Sequence, residues 1–293
     1  MAEPAQSTEG GADRVLAPLG RRLTEVVANE VSGGYRLVSS LDAEGPMPRA
    51  GQFYMLAAER GWGGGGGRPF LPRAFSVADA IEGDGGIRLT FLLEDVGPGT
   101  HELAGLERGD GLHITGPLGR PFSAPREVNP GAAGAILVGG GIGLAPLALL
   151  RRELSGRGFP ERSLLGFRDE THSGGLELFR CSELRLASED GHAGRRGYVT
   201  DLLAVMLEGD AAQTAAVYAC GPPAMLEAVR ALCEERGVEA ELAMESPMAC
   251  GYGACFGCAM PLRGGGYMRL CVDGPVVNAR EIETAIVEGA GHR

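Results

Sequence analysis

Four of the chain's seven cysteines crowd near the C-terminus. Cys250, Cys255, Cys258 and Cys271 read C-x4-C-x2-C-x12-C inside MACGYGACFGCAMPLRGGGYMRLC. The first three, with a fourth further on, reproduce the spacing by which four thiolates hold the two irons of a plant-type [2Fe–2S] centre. Gly251, Gly253 and Gly257 suit a loop that wraps such a centre, because glycine admits unusual backbone angles and lets N–H groups turn onto sulfur. Structural zinc commonly shows two C-x2-C knuckles, and here there is one, so zinc and unliganded buried thiols stand as the lesser readings. Cys181 and Cys233 lie outside the pattern and read as packing.

A second kind of chemistry is suggested by two strand-to-helix turns. Leu137-Val138 runs through Gly139, Gly140, Gly141 and Gly143 into Leu144-Ala145-Pro146. Glycine lets the backbone approach a pyrophosphate, and a helix start supplies N–H groups to it. The run is not a strict G-x-G-x-x-G, since Pro146 takes the last place, and a merely tight turn is the competing reading. Tyr218-Ala219-Cys220-Gly221-Pro222-Pro223 repeats the device, with prolines opening the helix and Cys220 at the carboxyl edge of a strand, where ligands bind in open α/β sheets. Two such ends in one sheet favour a dinucleotide site.

Two tetrapeptides earlier in the chain complete the set. In Arg73-Ala74-Phe75-Ser76 an arginine can clamp phosphate, a ring can lie on a flat heterocycle and a hydroxyl can bond a ring nitrogen. Strand alternation sets Ser76 on the opposite face from Arg73 and Phe75, so a bend or bulge must bring all three to one ligand. Gly97-Pro98-Gly99-Thr100 reads as a helix start. In isolation, such an arginine is more often a solvated surface charge and such a phenylalanine more often core.

The elements that must position these residues fall into three parts. Residues 20–125 show about six short, apolar or alternating stretches separated by turn formers, with one brief helix after Gly99: a small antiparallel β-barrel. Residues 130–244 alternate strand and helix in the manner of a Rossmann-like, doubly wound parallel sheet. Residues 245–293 carry the cysteines and too few apolar residues for a large core, a shortage that a metal centre would offset. Residues 1–19 read as a disordered tail. The glycine run around Trp62 reads as a flexible loop, with the lone tryptophan resting on the surface.

Composition narrows the function. The 293 residues are 44% hydrophobic and 22% charged, the range of ordinary globular chains. A formal net charge of −11, with no basic stripe, opposes nucleic-acid binding. All 27 basic residues are arginine, which excludes a lysine Schiff base and the lysine of a P-loop. The early acids of the N-terminus do not read as a secretory signal. Pro130 to Leu150 carries no charge, but its glycines and Pro146 suit a strand, turn and helix better than a membrane span. The expected compartment is the cytoplasm.

In order and spacing, the chain resembles the electron-transfer subunits of bacterial NAD-dependent dihydroorotate dehydrogenases, within the ferredoxin–NADP reductase superfamily. The likeness runs from about Arg21 to Arg280. It is strongest in MACGYGACFGC with RLCVDGPV, and extends to Gly51-Gln52-Phe53, Gly116-Pro117-Leu118-Gly119 and Gly197-Tyr198-Val199-Thr200-Asp201. The resemblance implies that Arg73, Ala74, Phe75 and Ser76 form a flavin motif, with Arg73 on the FAD pyrophosphate and Phe75 and Ser76 beside the isoalloxazine. It also implies Leu92, Leu93 and Glu94 as a second flavin segment and Gly99-Thr100 at the phosphates. Gly139, Gly140, Gly141, Gly143, Cys220, Gly221 and Pro222 fall on the NAD site, and Cys250, Cys255, Cys258 and Cys271 on the [2Fe–2S] ligands. Ala74 replaces the family's proline and Glu94 stands where it often has a basic or neutral residue. Arg168, after the second Rossmann strand, leaves NADP open beside NAD. The implied partner is an FMN-containing dihydroorotate dehydrogenase catalytic subunit, in a heterotetramer serving pyrimidine biosynthesis. A reductase subunit serving ferredoxin or a hydrogenase is the runner-up, and a zinc-containing scaffold without activity comes third.

Overall fold

The computed structural model describes residues 20–63, 67–180, 183–208 and 213–287; the tail expected over 1–19 and Cys181 lie outside them. Six antiparallel strands form the first unit: β1 (Arg22–Ser32), β2 (Tyr35–Asp42), β3 (Phe53–Ala58), β4 (Arg73–Gly83), β5 (Gly86–Leu93) and β6 (Gly111–Leu118). They close into a barrel in the order β1-β2-β5-β4-β3-β6. The start of β1 shows why: Thr24 and Val26 point inward while Leu23 and Glu25 face out, the period-two alternation of a half-buried strand. Inside, Tyr54 meets Phe91 edge-on with ring centroids 5.6 Å apart. A short helix, α1 (Pro98–Ala104), follows β5; Thr100 Oγ1 caps it by accepting the Val96 and Gly97 N–H groups, each at 2.9 Å.

The chain then crosses through a short helical turn, α2 (Pro125–Val128), into the α/β unit. This holds β7 (Gly134–Gly140), α3 (Leu144–Gly156), β8 (Glu161–Phe167), β9 (Glu183–Ser188), β10 (Arg195–Arg196), α4 (Val199–Met206), β11 (Ala215–Cys220), α5 (Pro223–Arg236) and β12 (Ala240–Ala243). These strands run parallel in the order β10-β9-β8-β7-β11-β12. Helices on both faces explain why every residue of β11 is buried and why its sequence is continuously apolar. The uncharged stretch from Pro130 to Leu150 is β7, its turn and the start of α3. Among the described residues no helix is long and apolar enough to cross a membrane.

The C-terminal stretch adds a small hairpin, β13 (Ala259–Pro261) with β14 (Tyr267–Arg269), a helical turn α6 (Leu270–Asp273) and β15 (Val276–Asn278). The parallel sheet expected from the sequence is there, with one antiparallel strand added at its edge. β15 pairs antiparallel with β12, Val276 opposite Ala243 and Val277 opposite Leu242, and makes the sheet mixed. Met260, Met268 and Leu270 join the same apolar cluster as Leu226, Val229 and Leu242. The segment thus borrows the core of the α/β unit as well as having metal-ligating thiols. Barrel and α/β unit are joined through α3, where Arg152 pairs with Asp79 and the Ala50 N–H donates to Glu153 Oε1 at 2.7 Å.

Candidate cofactor cavities and cluster loop

A cavity of about 410 Å³ lies in the seam between barrel and α/β unit. β4 lends it Arg73, Ala74, Phe75 and Ser76 together. These four pair in regular register with β3, and the slip of β4 against β5 comes only after them, between Val77 and Asp79. Leu92 and Glu94 line the cavity, whereas Leu93 between them does not. Thr100 completes the barrel side. Gly99 stays behind the wall, against the Arg73 guanidinium, where an added Cβ would come within 2.7 Å of Nε. Arg73 also donates to the Leu71 carbonyl and lies 5.7 Å from the Trp62 ring centroid. Trp62 is half-buried and packs on the core, which corrects its reading as a residue resting on the surface.

A second cavity, about 700 Å³, follows the carboxyl edge of β7 and β8 and the starts of α4 and α5. Gly140, Gly141 and Pro222 line it, together with Arg168 and Tyr198. Gly141 takes φ 53°, which favours glycine. Gly143 and Cys220 face the first cavity instead. Gly139 and Gly221 line neither. A Cβ on Gly139 would strike Leu165 at 2.7 Å, and one on Gly143 would strike the Gly221 backbone at 2.5 Å. These glycines let the two strand-to-helix turns pack against each other.

Glu94 and Glu245 wall both cavities. Glu245 was not legible as a site residue: it is one acid after a strand, and only the fold sets it at this junction. Burial raises its carboxyl to about 7. Burial likewise pushes the Cys220 thiol up, with the Glu245 charge adding to it. Arg168 is engaged, its Nε donating to Asp169 Oδ2 at 3.1 Å and its Nη2 lying 2.9 Å from His172 Nδ1. The Asp169 carboxyl is held down at about 2, first by its hydrogen bond with His172.

The four predicted thiols arrange as two pairs, Cys250 with Cys255 and Cys258 with Cys271. Backbone N–H groups converge on them. Those of Cys255, Tyr252 and Ala254 donate to the Cys250 sulfur and that of Gly253 to Cys271. The Cys271 N–H reaches Cys258 Sγ at 3.4 Å, and the Gly257 N–H reaches Cys255 Sγ at 3.5 Å. Burial pushes the Cys250 thiol up, but these donors outweigh it and hold it at about 6. Burial, then the neighbouring Cys258 thiol, pushes Cys271 up to about 12. Gly251 and Gly253, at φ 79° and 86°, give the loop its turns. Among the described residues no three His, Cys, Asp or Glu side chains gather round one point. A tetrahedral zinc ion needs that convergence. Two thiolate pairs under N–H donors fit a binuclear iron–sulfur centre, which takes two protein ligands on each iron. Cys233 is buried and packs with Val229 and Leu242, as expected.

Comparison with known proteins matches this geometry. Residues 245–283 fit the model of the iron–sulfur cluster binding domain of dihydroorotate dehydrogenase B, and residues 168–231 that of an oxidoreductase NAD-binding domain. The electron transfer subunit of dihydroorotate dehydrogenase B (NAD(+)) from Caldanaerobacter subterraneus subsp. tengcongensis is 36% identical over 243 residues, covering 82% of this chain and 89% of the relative. The chain belongs to this family of electron transfer subunits. The Clostridium perfringens subunit is 33% identical over 255 residues, covering 86% of this chain and 93% of its own. Among solved structures, an NADH-dependent reduced ferredoxin-NADP oxidoreductase shares the fold at a TM-score of 0.73 and 24% identity, over 90% of this chain and 91% of that one. A cytochrome P450 reductase from Amycolatopsis gives 0.61 at 26% identity, over 78% and 70%. As a member of the dihydroorotate dehydrogenase B family, the chain is an NAD-dependent flavin and iron–sulfur oxidoreductase subunit of pyrimidine biosynthesis.

Proposed function

We propose that the barrel, residues 20–125, holds FAD in the first cavity, that the α/β unit, 130–244, presents NAD in the second, and that residues 245–293 carry a [2Fe–2S] cluster. Arg73 would hold the flavin pyrophosphate, with Phe75, Ser76 and Leu92 along the ring and Thr100 ordering the turn beside the phosphates. Gly140, Gly141 and Pro222 would let the dinucleotide approach the backbone, with its nicotinamide end towards Cys220. Cys250, Cys255, Cys258 and Cys271 would ligate the irons. A flavin supplies the one chemistry that joins the other two, exchanging electron pairs as hydride with a nicotinamide and single electrons with an iron–sulfur cluster.

The observation that carries this reading is the path of one short segment. Glu245 walls both cavities, Ser246, Pro247 and Met248 wall the first, and Cys250 begins the cluster ligands. Gly251 then packs against Met55 of the barrel. The wall of the first cavity and the cluster loop are therefore consecutive in the chain, and the loop packs on the barrel. The protein's own part is to place the redox groups, keep the apolar wall dry and hold Arg73 in position. Among the described residues no constellation for oxidising an organic substrate lines the cavities, and the cluster would face a catalytic partner: an FMN-containing dihydroorotate dehydrogenase subunit, assembled as a heterotetramer in the cytoplasm.

Anaerobic co-purification with the dihydroorotate-oxidising subunit tests the assignment. Dihydroorotate-dependent reduction of NAD+ by the complex, lost when either subunit is omitted, is the expected result. A complex in which the catalytic subunit reduces NAD+ unaided would overturn it.

A further inference from the structure

The hairpin that returns Cys271 to the cluster loop carries an arginine set against that loop. Arg269 ends β14, and its backbone N–H and Nε donate to Asp273 Oδ2 at 3.0 and 3.5 Å, which anchors the side chain across the α6 turn. Its Nη1 donates to the Gly253 carbonyl at 3.4 Å, and the Gly253 N–H in turn donates to the Cys271 sulfur. The guanidinium carbon lies 5.4 Å from the centroid of the Phe256 ring, which stands between Cys255 and Cys258 in the chain. Among the described residues Phe256 is the one residue other than glycine at positive φ, 58°, and its side chain is mostly exposed. A bulky residue keeps that conformation only where its surroundings impose it. The neighbouring Arg263 and Arg280 pair instead with Glu234 and Glu239 of the α/β unit. Arg269 thus touches both parts of the ligand set, the 250–258 loop and the turn that bears Cys271.

We infer that Arg269 sets how readily the cluster takes an electron, by holding a positive charge against a loop that becomes more negative on reduction. This rests on the reading of Cys250, Cys255, Cys258 and Cys271 as the cluster ligands. An electron entering the cluster turns one ferric iron into a ferrous one and leaves its donor oxidised by one electron. Cluster and thiolates together gain one negative charge. A nearby cation stabilises that charge and an anion opposes it. Net charge and hydrogen bonds to the sulfurs are what set the potential of an iron–sulfur centre. Arg269 contributes to both, directly and by steadying the residue whose N–H meets Cys271. Asp273 opposes the direct effect while it anchors the arginine, so the two side chains act with opposite signs. Lysine would keep the charge but not the planar fork that bonds Gly253 and Asp273 while facing a ring.

The test is an EPR-monitored redox titration of the iron- and flavin-loaded subunit without air. Arg269→Gln should lower the cluster's reduced-to-oxidised ratio about tenfold at a fixed potential, which is about 59 mV for one electron. Asp273→Asn keeps an acceptor oxygen and removes the charge, and should raise that ratio by about the same factor. Arg269→Lys should restore most of what Arg269→Gln loses. Opposite shifts are the signature of charge, because a loosened loop would move both variants the same way. Unchanged potentials, shifts of one sign, or an Arg269→Lys value as low as that of Arg269→Gln would overturn the inference while leaving the ligand assignment standing. Should Arg269→Gln assemble no cluster, Asp273→Asn decides alone: a raised potential sustains the inference, and an unchanged or lowered one overturns it. Wild type that takes up zinc in place of iron would overturn the ligand assignment, and the inference with it.

Discussion

The cluster loop and the two cavities would hold their redox groups in opposite ways. Three of the four thiols and most of the N–H groups aimed at them come from Cys250 to Cys258, and Cys271 returns by a hairpin. Each cavity instead draws on segments distant in sequence: Arg73, Thr100, Cys220 and Met248 meet in the first. A metal centre exerts short, directional bonds on a few soft ligands, so a compact loop suffices. A flavin or dinucleotide presents a long surface that many weak contacts must share. Single substitutions should therefore abolish the cluster but only weaken the nucleotide sites.

The sharpest way to break that contrast is Cys255→Ser, which takes one thiolate from a pair. Complete loss of the cluster's visible absorption and of transfer to the partner is expected, with NADH-to-dye reduction surviving. A normal cluster spectrum would remove Cys255 from the ligands. Arg73→Ala should weaken FAD retention by about 10- to 100-fold, the equivalent of one charge-assisted hydrogen bond, and leave the iron content unchanged. Flavin affinity equal to wild type would return Arg73 to the solvent.

Glu245 probes the junction through stability. Its carboxyl is raised from 4.5 to about 7 by burial, so between those values the unfolded chain ionises while the folded one resists. Stability should fall as pH rises across that window and level off above it. Glu245→Gln cannot ionise, and should gain about 1–2 kcal/mol at pH 8 relative to its offset at pH 4. Parallel denaturant curves for both proteins across the window would contradict the burial argument. The smallest effect belongs to Trp62, whose ring faces the Arg73 guanidinium. Trp62→Ala should weaken FAD binding about two- to fivefold, Trp62→Phe should restore much of it, and in an Arg73→Ala background the loss should vanish. Additive losses in the double variant would separate the two residues.

What the sequence disclosed follows the same division. The C-x4-C-x2-C spacing was legible because its physics is local, and the period-two strands and the glycine-to-helix turn at Gly139–Leu144 were legible for the same reason. Roles that depend on which side of a wall a residue lands were not. Leu93, Gly139 and Gly221 sit within motifs whose neighbours line the cavities, yet line neither cavity themselves. Glu189 and Glu245 carry no local signature; the order of β8, β9 and β12 in the sheet is what brings them to the cavities. β15 was missed because three apolar residues after a cysteine loop are too few to announce an edge strand.

The central claim is that iron–sulfur cluster and flavin sit within one electron path on this chain. An anaerobic NADH titration of the purified subunit, followed by absorption and EPR with iron, sulfide and flavin analysis, tests it most directly. About two irons, about two acid-labile sulfides and about one flavin per chain are predicted, with the cluster becoming EPR-active as NADH is added. Zinc in place of iron, or a cluster that stays oxidised while NADH bleaches the flavin, would contradict it.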